Sequence, residues 1–230
     1  MDTSSKTARV AGLLYLFTVV TGIFSLIYVP SRVSGHGDAT LAIANIARFE
    51  SLFRFGLATG ALGYVAFLIL PLVLYKLLSP VNKSAAVLMV ALAVVQVPIY
   101  FVALTNRLDA LSLLEGDKFQ KVFSPAEVRG MFMLLMAAYD NLVFVSELFW
   151  GLWLLPFGYL VFKSGFLPKF LGVLLMLGCF SYLMDFFVGM LMPHYALSDV
   201  VTLPASLGEI GICLWLTVMG TSKPRLFAVD

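Results

Sequence analysis

The sequence GMFMLLMAAYDNLVFVSELFWGLWLLPFGYLVF, residues 130–162, is almost unbroken apolar sequence over 33 positions. A transmembrane helix needs about 20 mainly apolar residues, so this stretch is long enough to cross a bilayer. As a single helix it would measure about 50 Å, because each residue adds roughly 1.5 Å. That length exceeds a hydrocarbon thickness of about 30 Å. We therefore predict one long helix that is tilted or projects outward, with residues 138–162 as its spanning part.

The start of this helix is marked by Ser124, Pro125 and Glu127. A serine N-cap followed three residues later by glutamate forms a capping box, and proline is favoured at the first helical position. The helix is therefore predicted to begin outside the membrane.

The chain as a whole is also strongly apolar: 61% of its 230 residues are hydrophobic and only 12% are charged. Soluble proteins have about 45–50% apolar and about 25% charged residues, so this chain has too few polar side chains to cover a water-facing surface. We predict an all-α integral membrane protein, a six-helix bundle in one domain covering residues 1–230. Its spans are predicted at residues 10–29, 55–75, 85–105, 138–162, 170–192 and 200–219.

The distribution of cations predicts the orientation. Six spans place both termini on one side, and the two short loops on that side carry only cations, Lys76 with Lys83 and Lys163 with Lys169. Because cytoplasmic loops are enriched in Lys and Arg, we predict cytoplasmic termini and a location in the bacterial inner membrane. The longer segments 38–50 and 107–123 would then lie outside, where apolar residues at helical spacing predict short amphipathic helices.

Four carboxylates lie inside the predicted spans: Asp140, Glu147, Asp185 and Glu209. Ionisable groups within a bilayer are costly and indicate functional sites. Counted from the predicted cytoplasmic ends of the spans, all four fall in the outer half of the membrane. Asp140 and Glu147 are seven positions apart and therefore share one helix face.

Two arginines, Arg54 and Arg107, are predicted at the same outer level and are natural counter-ions for these acids. Gln96 lies deeper, near the middle of its span. We predict that the four carboxylates, the two arginines and Gln96 line a ligand-binding pocket that opens outward. The alternative is that these polar groups only hold the helices together. For Asp140 alone, at the predicted interface, simple solvation is the better interpretation.

Other chemistry is weakly represented. His36 and His194 lack metal-ligand spacing, and two cysteines cannot form a tetrahedral zinc site, so we predict no metal and no cofactor. A net charge of +2 predicts no basic face for nucleic acid. No glycine-rich phosphate loop or nucleophile motif is present, so no catalytic residue is assigned.

Three functions are consistent with these patterns. The favoured one is binding or transport of a cation, a proton or a small amphiphile at the carboxylates. The second is an accessory subunit of a larger membrane complex, and the third is an intramembrane lipid-modifying enzyme with paired carboxylates as acid and base. The predicted partners are membrane lipid and either a second copy of the chain or a larger complex.

Five segments also resemble a known family: AGLLYL at residues 11–16, SLFRFG at 51–56, LYKLLSPVNK at 74–83, FWGLWLLPFGYLVFKSGFLPK at 149–169 and LPASLGEI at 203–210. They are similar to an uncharacterised family of bacterial membrane proteins, domain of unknown function 4386. The resemblance implies a bacterial multi-pass membrane protein and supplies no activity. Arg54, Glu147, Asp185 and Glu209 lie within or beside the matching segments.

Overall fold

The structure is a computed structural model that describes residues 3–115, 119, 121–192, 194–195 and 197–221, and in this part of the chain the regular elements are all helical. The α-helices are α1 (Thr3–Gly22), α2 (Val29–Val33), α3 (Ala39–Arg48), α4 (Glu50–Leu78), α5 (Lys83–Leu114), α6 (Pro125–Leu152), α7 (Leu154–Lys163), α8 (Lys169–Leu191) and α9 (Leu203–Val218). A π-helical stretch, Ile23–Tyr28, joins α1 to α2, and a 3-10 turn, Asp199–Val201, precedes α9.

Within the described part of the chain, five helical stretches are long and apolar enough to cross a bilayer: Ser4–Val33, Glu50–Leu78, Lys83–Leu114, Pro125–Lys163 and Lys169–Leu191. The predicted fold class is therefore confirmed, and the protein is a multi-pass membrane protein built as a helical bundle.

The sixth predicted span, residues 200–219, differs from the prediction in length. Its helix, α9, has only 16 residues and measures about 24 Å, less than the roughly 30 Å of a hydrocarbon core. The first residues of the predicted span form the 3-10 turn, and Pro204 lies in the first turn of α9. Proline favours the first turn of a helix and disfavours helical backbone in the residue before it, so α9 begins later than hydropathy alone predicts.

The long fourth span is helical over Pro125–Lys163 but is interrupted at Trp153, where the sequence predicts a single helix. Pro156 has no N–H and so cannot bond the carbonyl of Leu152. The ladder continues on both sides, since Trp153 N donates to Phe149 O at 3.2 Å and Phe157 N donates to Trp153 O at 3.3 Å. The proline therefore loosens the helix at one turn without ending it.

The predicted capping box of α6 is confirmed. The backbone N and Oγ of Ser124 each donate to Glu127 Oε2 at 2.7 Å, and Glu127 N donates to Ser124 Oγ at 3.4 Å. These contacts provide partners for N–H groups that a helix start would otherwise leave without acceptors.

The first of the two predicted amphipathic segments contains a separate helix, α3. In α3, Asp38 Oδ1 accepts from Thr40 N at 2.7 Å and from Leu41 N at 3.2 Å, and Ala42 and Ile46 are buried. In the second segment, residues 107–114 are the last turns of α5, because no proline or glycine interrupts the chain before Gly116. Residues 116–118 and 120 of that segment lie outside the described residues.

The described residues form two compact units, the first built from three stretches of the chain and the second from two. The first unit comprises the described residues of Met1–Thr18, Ala66–Val97 and Val145–Asp230, and the second comprises those of Val19–Val65 and Pro98–Phe144. The single domain predicted for residues 1–230 stays a prediction.

Each unit has its own apolar core. In the first, the buried Trp153 ring packs against the rings of Tyr15, Phe67 and Phe157, with centroids 6.0, 5.4 and 5.2 Å away. In the second, buried side chains of α2 to α6 form one cluster that includes Val29, Ile46, Phe53, Leu57, Leu111 and Phe132.

Candidate functional site

The seven predicted site residues divide between the two units. The first unit contains Gln96, Glu147, Asp185 and Glu209, and the second contains Arg54, Arg107 and Asp140. The seven residues therefore form two separate groups of polar side chains, one in each unit.

In the first unit, Glu147 of α6 and Asp185 of α8 lie within range of electrostatic repulsion between their carboxylates. Gly151, one turn after Glu147, lets the two helices come this close. A Cβ atom at Gly151 would lie 2.9 Å from Tyr182 Cβ and 3.0 Å from the carbonyl oxygen of Cys179. A proton or a cation held between two such carboxylates relieves their repulsion.

Glu209 of α9 adds a third carboxylate, next to the phenol groups of Tyr15 and Tyr182. The Tyr15 hydroxyl is buried and interacts electrostatically with Glu209. The Tyr182 ring meets the Trp150 ring edge to face, with centroids 6.1 Å apart.

Helical spacing places two pairs of these groups on shared helix faces. Tyr182 and Asp185 are three residues apart on α8, as Glu147 and Trp150 are on α6, so each pair shares a helix face. We call Glu147, Asp185, Glu209, Tyr15 and Tyr182 the carboxylate cluster. The sequence held no signal for Tyr15, whereas the spacing of Tyr182 and Asp185 places Tyr182 on the same face of α8 as Asp185.

Gln96 of α5 is buried, with 2% of its surface exposed, and its Nε2 donates to the carbonyl oxygen of Phe149 at 3.1 Å. That carbonyl also accepts from Trp153 N. Phe149 is two residues from Glu147, so the Gln96 amide holds the α6 backbone beside the cluster.

In the second unit, Arg54 has acidic partners other than the intramembrane carboxylates. Its Nε donates to Glu50 Oε1 at 2.7 Å, and its Nη2 pairs with Glu115. Glu50 lies four residues before Arg54, the helical spacing at which opposite charges meet. All three side chains are about half exposed.

Arg107 and Asp140 are brought together, with Arg107 Nη2 3.9 Å from Asp140 Oδ1. The Arg107 side chain is only 6% exposed, whereas that of Asp140 is 71% exposed. The guanidinium carbon of Arg107 lies 3.5 Å from the centroid of the Tyr139 ring and 5.7 Å from that of Phe53. Such contacts are cation–π interactions, and the only hint of them in the sequence is the position of Tyr139 next to Asp140.

No group of three or more His, Cys, Asp or Glu side chains is placed to hold a metal ion within the residues that were described. A groove of about 470 Å³ lies between α8 and α9, and none of the seven predicted site residues lines it. Its walls are almost wholly apolar, with Phe170, Leu174, Leu207 and Trp215 among them. A groove of this composition suits hydrocarbon chains rather than ions.

Comparison with known proteins places the chain in a family. Residues 10–220 match the family described as "Domain of unknown function (DUF4386)". An uncharacterized protein of Archaeoglobus fulgidus is 26% identical over 147 residues, which cover 64% of this chain and 72% of that relative. No solved structure matches the chain.

Proposed function

The chain belongs to the DUF4386 family, and from that premise we propose that it binds a cation, in the simplest case a proton, at the carboxylate cluster of its first unit. The observation that carries the proposal is the approach of Glu147 to Asp185, two acids on two helices that are long and apolar enough to span a membrane.

Energetic cost favours this role over packing alone. An acid at the centre of a spanning helix costs about 2.5–3.5 kcal/mol on insertion scales, and two facing acids add mutual repulsion. Helices are held together at lower cost by neutral polar groups, and Gln96 makes such a contact with the α6 backbone. A bound proton or cation would neutralise the carboxylates and so remove the electrostatic repulsion between them, which helix packing alone does not remove.

The neighbouring tyrosines fit the same role. A phenol donates or accepts a hydrogen bond without carrying a charge, so Tyr15 and Tyr182 provide neutral groups around Glu209. Chains of carboxylates and neutral polar groups within spanning helices are typical of proton and cation paths. Transport by so small a bundle requires more than one copy of the chain or a larger complex, which we include in the proposal.

The proposal is tested by thermal unfolding of the purified protein in detergent, from pH 5 to 8 and with sodium, potassium or tetramethylammonium. A ligand at 100 times its Kd stabilises by about 2.7 kcal/mol, which raises the Tm of a chain of this length by roughly 5–10 °C. We expect one cation, or protons, to produce such a rise in wild type. Glu147→Gln and Asp185→Asn are expected to abolish it.

The matched control is Asp109→Asn, which removes an exposed carboxylate of α5 in the second unit. It is expected to keep the full rise in Tm. Equal losses of stability in Glu147→Gln and Asp185→Asn with and without every cation would show a purely structural network, as expected for an accessory subunit. Unchanged cation binding with lost turnover of a lipid would instead favour the enzyme.

We also propose the inner membrane as the location, with both termini in the cytoplasm. The support is the pattern of cations: Lys76, Lys83, Lys163 and Lys169 lie in short loops without an acid. Green fluorescent protein fused after residue 230 is expected to fluoresce, and alkaline phosphatase fused there is expected to be inactive. An active phosphatase fusion would reverse the orientation.

A further inference from the structure

Arg107 of the second unit is a buried arginine that lacks the hydrogen bonds such a group requires. Its Nε has no partner among the described residues, and Asp140 lies 3.9 Å away, beyond the 2.7–2.9 Å or so of a charge-assisted hydrogen bond. Taking a charged group out of water is costly unless it is paired and hydrogen-bonded. The guanidinium is therefore placed where an acceptor would be strongly bound.

Aromatic rings hold this guanidinium in position. Tyr139 covers its face, Phe53 lies farther off, and both rings are buried. Tyr100 lies near both Arg107 and Tyr139 and is itself stacked on Tyr64, with ring centroids 3.7 Å apart and planes 8° apart. A ring attracts the cation through its π face but offers no lone pair to the N–H groups, so the Nε–H of Arg107 still needs an acceptor.

The acid beside Arg107 is a weak competitor for that edge. Asp140 is mostly exposed, so its carboxylate can turn toward solvent at little cost when another anion arrives. Arg54 in the same unit provides the contrast, because it is exposed and pairs with both Glu50 and Glu115.

We propose that Arg107 is the centre of an oxyanion site that takes a phosphate group, either free phosphate or the phosphate of a lipid headgroup. Arginine binds phosphate through two parallel N–H donors, a geometry that a single long contact does not use. A phosphate monoester carries up to two charges on three oxygens, so it competes well with the single carboxylate of Asp140. The site is independent of the carboxylate cluster.

The test uses the full chain, delipidated in a maltoside detergent that contains no phosphate. Binding is measured by calorimetry with sodium phosphate against sodium chloride at equal ionic strength. A second arm compares dioctanoyl phosphatidic acid with dioctanoylglycerol, which lacks the phosphate. Binding of phosphate identifies free phosphate as a ligand, and binding of phosphatidic acid alone identifies a lipid headgroup.

Three variants report on the site. Arg107→Gln is expected to weaken binding at least about tenfold, the effect of losing one charge-assisted hydrogen bond. Asp140→Asn is expected to tighten binding several-fold, because it removes the competing charge from an exposed side chain. Arg54→Gln, the matched control, is expected to leave the Kd unchanged.

Should Arg107→Gln fail to fold, Arg107→Lys keeps the charge and loses the planar donor pair, and it is expected to weaken binding. Equal heats for phosphate and chloride together with no binding of phosphatidic acid would overturn the proposal. Unchanged binding in Asp140→Asn, or loss of binding in Arg54→Gln, would also overturn it.

Discussion

Replacement of Gly158 by alanine is expected to destabilise the protein by about 3 kcal/mol, because α7 and α8 of the first unit pack backbone against backbone at this residue. A Cβ atom at Gly158 would lie 2.6 Å from the carbonyl oxygen of Gly172. The reverse also holds, since a Cβ atom at Gly172 would lie 2.6 Å from the backbone nitrogen of Phe162. Backbone atoms cannot turn aside as a side chain does, so the helices must separate.

The matched control for this prediction is Gly130→Ala in α6, where an added Cβ atom meets nothing within 4 Å. Alanine is favoured over glycine inside a helix, so this variant is expected to be as stable as wild type or more stable by up to about 1 kcal/mol. Thermal unfolding of both variants in one detergent measures the difference. Equal midpoints would refute close backbone packing of α7 and α8.

Replacement of Trp153 by alanine is expected to cost a further large amount, about 3–5 kcal/mol. The side chain is 2% exposed and contacts the ring of Phe157, one turn further along the chain, and the rings of Tyr15 and Phe67, which belong to the other two stretches of the first unit. Lipid is as apolar as the protein interior, so the loss comes from dispersion contacts and the cavity rather than from transfer out of water.

Two substitutions separate this effect from the general removal of an aromatic ring. Trp153→Phe keeps a ring in the same place and is expected to retain most of the stability. Phe180→Ala removes a side chain of α8 that is more than half exposed, and it is expected to change the midpoint little. Denaturation in mixed micelles with increasing dodecyl sulfate compares the three variants. A similar loss in Phe180→Ala and Trp153→Ala would exclude Trp153 as the centre of the core.

Much of the fold could be predicted from the sequence because local composition dictates it. Long apolar stretches must form helices in lipid, where every backbone N–H and C=O needs a partner within the segment. The capping residues Ser124 and Glu127 act within one turn, so their contacts were also predictable. The length of α9 and the interruption at Trp153 were not predicted. Hydropathy takes no account of the missing N–H of Pro156, nor of the preference of Pro204 for the first turn of a helix.

The candidate site was predictable only as a set of residues. An acid in an apolar stretch is visible in the sequence, which is how Glu147, Asp185 and Glu209 were identified. Which acids meet depends on how each helix is rotated about its axis, and residues far apart in sequence determine that rotation. Arg54 illustrates the limit: its half-exposed side chain pairs with Glu50 and Glu115 rather than with the four intramembrane acids that the sequence suggested.

The sequence by itself determined that the protein lies in a membrane, that it is helical and which residues are polar within the spans. It could do so because hydropathy and helix capping depend on residues within one or two turns of the chain. The tertiary structure alone decided which polar groups lie near one another. It brought Glu147 near Asp185 and placed Arg107 against the rings of Tyr139 and Phe53. The physical reason is that helix rotation is set by close packing: at Gly151 an added Cβ atom would lie within 3.0 Å of atoms of Tyr182 and Cys179 on α8.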